Sequence, residues 1–328
     1  MEYRELGRTG LKVSEISFGT WAIGGSWGQT DEGESLRALA KAIDEGVNFF
    51  DTADVYGDGR SERLLAKATK GMEDKIHVAT KFCRAGDIHD PQTYSYEKVN
   101  AWCEASLRRL ERETIDLYQI HCPPLAILQD GSVFDVLDRL QREGKIRAYG
   151  VSVESVEEGL LCLERPGVQA LQIIFNIFRQ KPIERLLPEA ARTKTGLLVR
   201  LPLASGLLTG KFKAGSAFEA DDHRNFNRDG QQFNVGETFA GLPFEKGVEL
   251  SQELAWIARE RGGSMTHAAL RWILDFPEIT CAIPGFKNVR QVEDNLASLG
   301  VPSFSEAERA RLREFYAAQV HEHIRGSY

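Results

Sequence analysis

Val47-Asn48-Phe49-Phe50-Asp51-Thr52-Ala53-Asp54-Val55-Tyr56-Gly57-Asp58-Gly59-Arg60-Ser61-Glu62 is the stretch whose reading decides the fold. Val47 to Phe50 is a short apolar run of the kind that forms a strand buried on both faces. Asp51 falls at its end, Tyr56 follows in a loop, and Gly57 and Gly59 turn the chain into a helix beginning near Ser61. A carboxylate at a strand tip and a phenol five residues later both face the mouth of a barrel or sheet, where α/β enzymes place their chemistry.

The same strand–loop–helix unit recurs in both directions. Strands are expected at Ile16 to Trp21, Ile76 to Thr80, Asp116 to Ile120, Ala148 to Val151, Leu171 to Phe175, Leu197 to Leu201 and Thr280 to Ile283. Helical spacing of apolar residues follows each, as in Leu36, Leu39, Ala40 and Ile43, or in Val99 to Leu110. Further helices are expected at Val133 to Leu140, Ser155 to Leu163, Ile183 to Ala191, Phe244 to Arg259, His267 to Leu274 and Val289 to Leu299. Eight such units fit a closed (β/α)8 barrel better than an open sheet. Ahead of them, Tyr3 to Leu6 and Leu11 to Val13 flank Gly7-Arg8-Thr9-Gly10, a hairpin that would cap one end. No composition break marks a second domain, so residues 1–328 are expected to form one. The polar segment from Ala214 to Leu242, after the seventh strand, is too long for an ordinary connection and is expected to form a lid.

Composition excludes several classes of function. A formal charge of −7 argues against nucleic acid or anionic membranes as partners. No apolar run is long enough to span a bilayer, and Met1 to Glu5 lacks the features of a secretion signal. The five cysteines, Cys83, Cys103, Cys122, Cys162 and Cys281, contain no CxxC pair, so neither a disulfide framework nor a metal site is expected. A cytoplasmic protein is the plain reading, with its oligomeric state open.

Asp51, Lys81 and His121 end three successive expected strands, and barrel tips converge on one face. Together with Tyr56 they suit reduction of a carbonyl. Tyrosine is a weak acid with a pKa of about 10. An ammonium beside it favours proton release, and a carboxylate keeps that ammonium charged and oriented. A histidine can polarise the carbonyl oxygen. Each residue taken alone has a bland explanation: Lys81 as a solvated lysine, His121 as a loop hydrogen bond, Asp51 as a turn cap. Their joint occurrence in one pattern is far more specific. Side chains do not carry hydride, so a nicotinamide or flavin is required. Gly57-Asp58-Gly59-Arg60-Ser61-Glu62 lacks the third glycine of a dinucleotide fingerprint. Gly206 and Gly210 stand one residue too close for a P-loop, and Gly150-Val151-Ser152-Val153-Glu154 lacks the second glycine of a nucleophile elbow.

In Asn48 to Gly57, in Ala79-Thr80-Lys81-Phe82 and in Asp116 to Pro123 the chain resembles the aldo-keto reductases, and the similarity extends through Thr266 to Trp272 to cover nearly the whole length. The resemblance implies an Asp51–Tyr56–Lys81–His121 tetrad and NAD(P)H-dependent reduction of an aldehyde or ketone to an alcohol, with Tyr56 as proton donor. NADPH is the favoured cofactor, and NADH also fits. Gly19, Thr20, Trp21 and Asp51 would contact the cofactor, and Ser152 and Gln172 would hold its carboxamide. Val153 replaces the family's asparagine, and Arg200 stands where many members carry a stacking aromatic. Pro202, Leu203, Ser205, Gly206 and Lys211 resemble the pyrophosphate loop. Gly285, Lys287, Gln291, Asp294 and Asn295 resemble the adenosine-phosphate segment, with Lys287 placed to pair with a 2′-phosphate. Trp21, Tyr56 and His121 would contact substrate. Trp27 would extend that wall, while Asp54, Arg84 and His89 would add polar contacts suited to a sugar or short hydroxyaldehyde. The alternative implied by the same resemblance is a cofactor-binding regulatory subunit of the channel-beta type.

Overall fold

The computed structural model describes residues 1–25, 27–28 and 30–328. A two-stranded antiparallel hairpin, β1 (Tyr3–Glu5) and β2 (Lys12–Ser14), opens the chain. Eight strands then form one parallel sheet in sequence order: β3 (Phe18–Gly19), β4 (Phe49–Asp51), β5 (His77–Phe82), β6 (Ile115–His121), β7 (Ile146–Ser152), β8 (Ala170–Ile174), β9 (Gly196–Arg200) and β10 (Ile279–Ile283). The sheet curls until its edges meet. Ser17 N–H donates to the Ala282 carbonyl at 2.9 Å, Ala282 N–H to the Glu15 carbonyl at 2.9 Å and Gly19 N–H to the Pro284 carbonyl at 2.9 Å. The fold is the expected (β/α)8 barrel.

Helices pack around the strands. The first are α1 (Trp21–Gly24), α2 (Glu32–Asp44), α3 (Arg60–Thr69), α4 (Tyr96–Leu110), α5 (Leu125–Asp130), α6 (Ser132–Arg142), α7 (Val156–Leu163) and α8 (Leu186–Thr193). After them come α9 (His223–Phe226), α10 (Phe244–Glu253), α11 (Ala255–Arg261), α12 (Met265–Leu274), α13 (Val289–Leu296) and α14 (Glu306–Phe315). Side-chain caps start many of them. Asp31 accepts from Glu34 N–H, and Ser155–Glu158 and Ser305–Glu308 form capping boxes.

Several boundaries differ from expectation. Trp21 does not end a strand: β3 stops at Gly19 and Trp21 heads the one-turn α1. Lys81 lies inside β5, because the strand continues through Phe82. The helix expected from Phe244 to Arg259 is two helices, broken at Leu254, and α5 and α14 carried no expectation. All five cysteines are buried free thiols. No helix among the described residues is long and apolar enough to cross a membrane.

Period-two alternation sorts the strand residues. Val78, Phe82, Tyr118 and Val151 face the helices. Inside the barrel, Phe49, Ala79, Leu117, Ala148, Ala170, Leu198 and Cys281 pack with Leu6, Leu11 and Val13 of the hairpin, which closes that end with apolar side chains. Gly7 makes the closure possible. Its φ is +54°, and a Cβ there would stand 2.2 Å from the Gly196 nitrogen. One step up each strand from this floor the interior turns polar, with Asp51, Lys81, Gln119 and Gln172.

Asp54 lies behind this polar layer rather than in it. It is buried, its backbone N–H donates to the Lys81 carbonyl at 3.3 Å, and its carboxyl oxygens have no partner among the described residues. Burial and the charge of Glu62 push its pKa up to about 7. The folded state therefore keeps a proton that the unfolded chain releases near about pH 4, and stability contributed by the neutral acid is lost as pH rises from there toward 7. Asp54→Asn should remove this slope. In thermal unfolding the Tm of the variant relative to wild type is expected to increase between about pH 4.5 and about pH 7.5; a pH-independent difference would show that Asp54 is ionised throughout.

Candidate active site

Lys81 is fully buried, and its Nζ donates to Asp51 Oδ1 at 2.6 Å and to the Thr52 carbonyl at 2.8 Å. The second carboxylate oxygen of Asp51 accepts from Gln172 Nε2 at 2.8 Å and from Gln119 Nε2 at 3.3 Å. Register explains the meeting: Asp51 pairs across the sheet with Ala79, Lys81 with Gln119, and Ser152 with both His121 and Gln172. Gln119 carried no expectation, although its even spacing from His121 puts it on the inner face of β6.

The Lys81 ammonium lies 5.1 Å from the centre of the Tyr56 ring, and that ring meets His121 edge-on with centroids 5.9 Å apart. Trp21 stacks on the other side of Tyr56 at 6.0 Å. Gly57 fixes the loop that carries the tyrosine: its φ is +63°, and a Cβ would stand 2.1 Å from the Gly24 carbonyl oxygen. Sequence reasoning expected the ammonium to pull the phenol pKa down. In the structure burial, and then Asp51, push it well above its usual value. Asp51 is in contact with Lys81 and offsets its charge, so Tyr56 is held as a protonated phenol. Burial, aided by Arg84 and Lys81, holds His121 well below the usual histidine range, so its imidazole is neutral. Burial also lowers the Lys81 pKa, against the pull of Asp51.

Above these groups opens a cavity of about 340 Å³. Of the residues expected around a cofactor or substrate, Gly19, Trp21, Asp51, Tyr56, His121, Gln172, Arg200, Pro202, Leu203, Ser205, Gly206, Lys211, Gly285, Lys287, Gln291, Asp294 and Asn295 line it, as does Trp27. Lys81 sits beneath Asp51. Thr20 and Ser152 do not line the cavity. The Thr20 hydroxyl donates to the Asp51 carbonyl at 2.9 Å and meets Ser61 Oγ at 2.5 Å, while Ser152 Oγ lies 3.4 Å from Cys122 Sγ. His89 is exposed and off the cavity.

Among the lining residues that the sequence reading did not place there are the charged Arg224 and Glu237, both from the long segment after β9. That segment is folded. Arg224 stacks its guanidinium on Phe218 at 4.4 Å and Trp27 at 4.9 Å and pairs with Asp222, while Asn227 is fully buried and bonded to Thr238. Lys211, Arg224 and Lys287 bring three cations to the cavity, and Lys287 Nζ donates to the Trp27 carbonyl. After β9 the backbone turns through positive φ at Leu201, Ala204, Ser205 and Gly206. Within it Ala204 N–H donates to the Leu201 carbonyl at 3.0 Å and Gly206 N–H to the Leu203 carbonyl at 2.9 Å, which hold the turn against the cavity.

The aldo/keto reductase family model matches residues 15–317. Aldo-keto reductase YhdN of Bacillus subtilis (strain 168) is 36% identical over 301 residues, covering 89% of this chain and 87% of its own. A probable voltage-gated potassium channel subunit beta of Arabidopsis thaliana is 28% identical over 318 residues, 92% of each chain. The glycerol dehydrogenase AKR11B4 of Gluconobacter oxydans has a solved structure that matches with a TM-score of 0.79 at 31% identity, covering 100% of this chain and 98% of that one. Sequence, fold and the grouping of Asp51, Tyr56, Lys81 and His121 agree: the chain belongs to the aldo/keto reductase family.

Proposed function

We propose that this protein reduces the carbonyl of a small polar aldehyde or ketone, using NADP(H), with Tyr56 as the proton donor. The observation that carries the reading is the buried 2.6 Å Lys81–Asp51 pair beside Tyr56 and His121, with Asp51, Tyr56 and His121 lining an open cavity. The cavity fits the dinucleotide on its own chemistry. Ser205, Gly206 and Lys211 would hold the pyrophosphate, Lys287 and Gln291 the adenosine phosphate, and Gln172 the carboxamide, with Arg200 beside the ring. Arg200 Nε is a buried donor with no partner among the described residues, an in-plane N–H left for an acceptor that a ligand in the cavity would bring. NADP(H) is the cofactor of the family.

Bound there, the nicotinamide supplies the hydride. Neutral His121 donates a ring N–H to the substrate oxygen and stabilises the charge that develops on it. Tyr56, kept protonated, transfers its phenolic proton to that oxygen. A developing alkoxide is more basic than even a raised phenol, so the transfer is favourable. Lys81 and Asp51 fix the position of the ring and limit the charge left behind. Trp21, Trp27 and Tyr56 form an aromatic wall beside charged Arg200 and Glu237, which suits a sugar or short hydroxyaldehyde. The likeness to a glycerol dehydrogenase supports the same substrate class. The channel-subunit reading has a relative behind it, but no feature of the cavity favours it over turnover. The cytoplasm is the proposed location, with residues 1–328 acting as one domain.

Activity is tested by following loss of reduced cofactor with a panel of aldehydes and ketones. Tyr56→Phe keeps the ring and removes the proton, so turnover should fall by about a hundredfold or more while NADPH still binds. Near-wild-type turnover at several pH values would displace Tyr56 from the role.

The cofactor preference has its own test. Lys287 would exchange a neutral acceptor, the Trp27 carbonyl, for a doubly charged phosphate. The net gain is one charge-assisted contact, worth about tenfold in affinity. Titration of wild type and Lys287→Met with NADPH and NADH should show a loss for NADPH and little change for NADH. Equal losses would make Lys287 a support of the Trp27 loop alone.

A further inference from the structure

Glu237 is the acidic side chain that the segment after β9 places in the cavity wall, and it is only 3% exposed. Its carboxylate bridges two guanidiniums. Arg84 Nη2 lies 2.5 Å from Oε1 and Nη1 3.3 Å from Oε2, while Arg200 Nη1 lies 3.3 Å from Oε2. Both arginines belong to the barrel. Arg84 follows β5 and its Nε donates to the His121 carbonyl at 3.3 Å, and Arg200 ends β9 with Nη2 on the Val153 carbonyl at 3.2 Å. The acid comes from outside the barrel, on the segment after β9.

The fourth member of the cluster is Glu154. It meets Arg84 at 3.4 Å and accepts from Asn234 Nδ2 at 2.7 Å. Burial, and then Glu237, push its pKa up, whereas the two arginines hold Glu237 low against the effect of burial. Glu237 therefore carries the negative charge of the group. Cys122, Glu154 and Glu237 bring ligand atoms within 4.8 Å of one another, but with two guanidiniums on the same carboxylates the cluster does not suit a cation. Without the two acids it would be an anion site at the cavity edge: Arg200 lines the cavity beside Tyr56 and His121, and Arg84 stands behind it on the His121 carbonyl.

We propose that Glu237 is a specificity-determining residue, a carboxylate of the chain itself that occupies the Arg84–Arg200 anion site, so that neutral polar carbonyls are accepted and carboxylate-bearing ones rejected. The proposal rests on the carbonyl-reductase reading above and adds the substrate class. It works by exclusion: an incoming carboxylate must displace an acid already held by the fold, and meets its repulsion as well. A hydroxyl meets no such barrier and finds donors and acceptors in the same group.

Glycolaldehyde and glyoxylate test this, since they are two-carbon aldehydes that differ by a hydroxymethyl against a carboxylate. With NADPH, wild type should favour glycolaldehyde. Glu237→Gln, made together with Glu154→Gln so that Glu154 does not ionise in its place, keeps the shape and removes the charge, and the ratio of kcat/KM for glyoxylate to that for glycolaldehyde should rise by about tenfold or more, chiefly through the KM of glyoxylate. Glu237→Asp should restore the wild-type ratio in part. Should the doubly substituted protein not fold, Arg84→Met in a chain that keeps Glu237 should move the ratio the opposite way. Calorimetric titration of acetate into the NADP+-saturated protein reads the same site without turnover, with tighter binding expected in the doubly substituted protein. Equal losses for both aldehydes with unchanged acetate affinity would make Glu237 a structural clamp and overturn the proposal. Failure of wild type to reduce either aldehyde would count against the proposed substrate class, while the acetate titration would still decide the role of Glu237.

Discussion

An ammonium with no exposed surface, held 2.6 Å from a carboxylate inside a barrel, is the constraint on which the rest of this structure depends. Taking either charge out of water is costly, and removing one partner would leave the other buried and uncompensated. The neighbouring groups are arranged to prevent this. Lys81 also donates to the Thr52 carbonyl, and both glutamines that reach Asp51 use its second oxygen. These bonds come from β5, β6, β8 and the end of β4. The ion pair therefore requires the sheet to be curled and in register, and its stability is inseparable from closure of the barrel.

Below the pair the interior must be dry and above it wet, and alternation along the strands provides both. Leu117, Gln119 and His121 point inward from one strand at successive levels, an apolar side chain, an amide and an imidazole. Leu198 and Arg200 repeat the pattern on β9, and Ala79 and Lys81 on β5. The hairpin seals the apolar level, and Gly7 allows its backbone to touch Gly196. A single register slip in any of these strands would turn its polar residue into the helix layer.

The barrel and the meeting of Asp51, Tyr56, Lys81 and His121 were legible in the sequence for this reason. Short apolar runs ending in chemically distinctive residues fix strand positions, and strands fix where those residues meet. Legibility failed where tertiary contacts, not local pattern, decide the structure. Trp21 reads as the end of a strand, but the crowding of Trp27, His223 and Phe233 around its ring accompanies a helical turn. Thr20 and Ser152 sit in family positions, yet their hydroxyls are engaged by Asp51, Ser61 and Cys122. The segment after β9 has no apolar period. Its order comes from arginines stacked on aromatic rings, as with Arg224 on Phe218 and Arg228 on Phe244, and from buried Asn227. Nothing in its composition distinguishes Glu237 from the surrounding acids.

Ser205 links the two ends of the cavity. It lies in the strained turn after β9 that suits a pyrophosphate, but its hydroxyl is directed away from that turn. Ser205 Oγ donates to the Glu237 carbonyl at 3.5 Å and accepts from Phe239 N–H at 3.1 Å. The backbone that would cradle phosphate is therefore bonded through one side chain to the residue that clamps Arg84 and Arg200 beside Tyr56. Farther along, Arg325 donates to the Gly241 and Leu242 carbonyls and pairs with Asp229, tying the same segment to the C-terminal part of the chain. One buried hydroxyl thus fixes the turn after β9 against the backbone of the residue whose carboxylate holds Arg84 and Arg200.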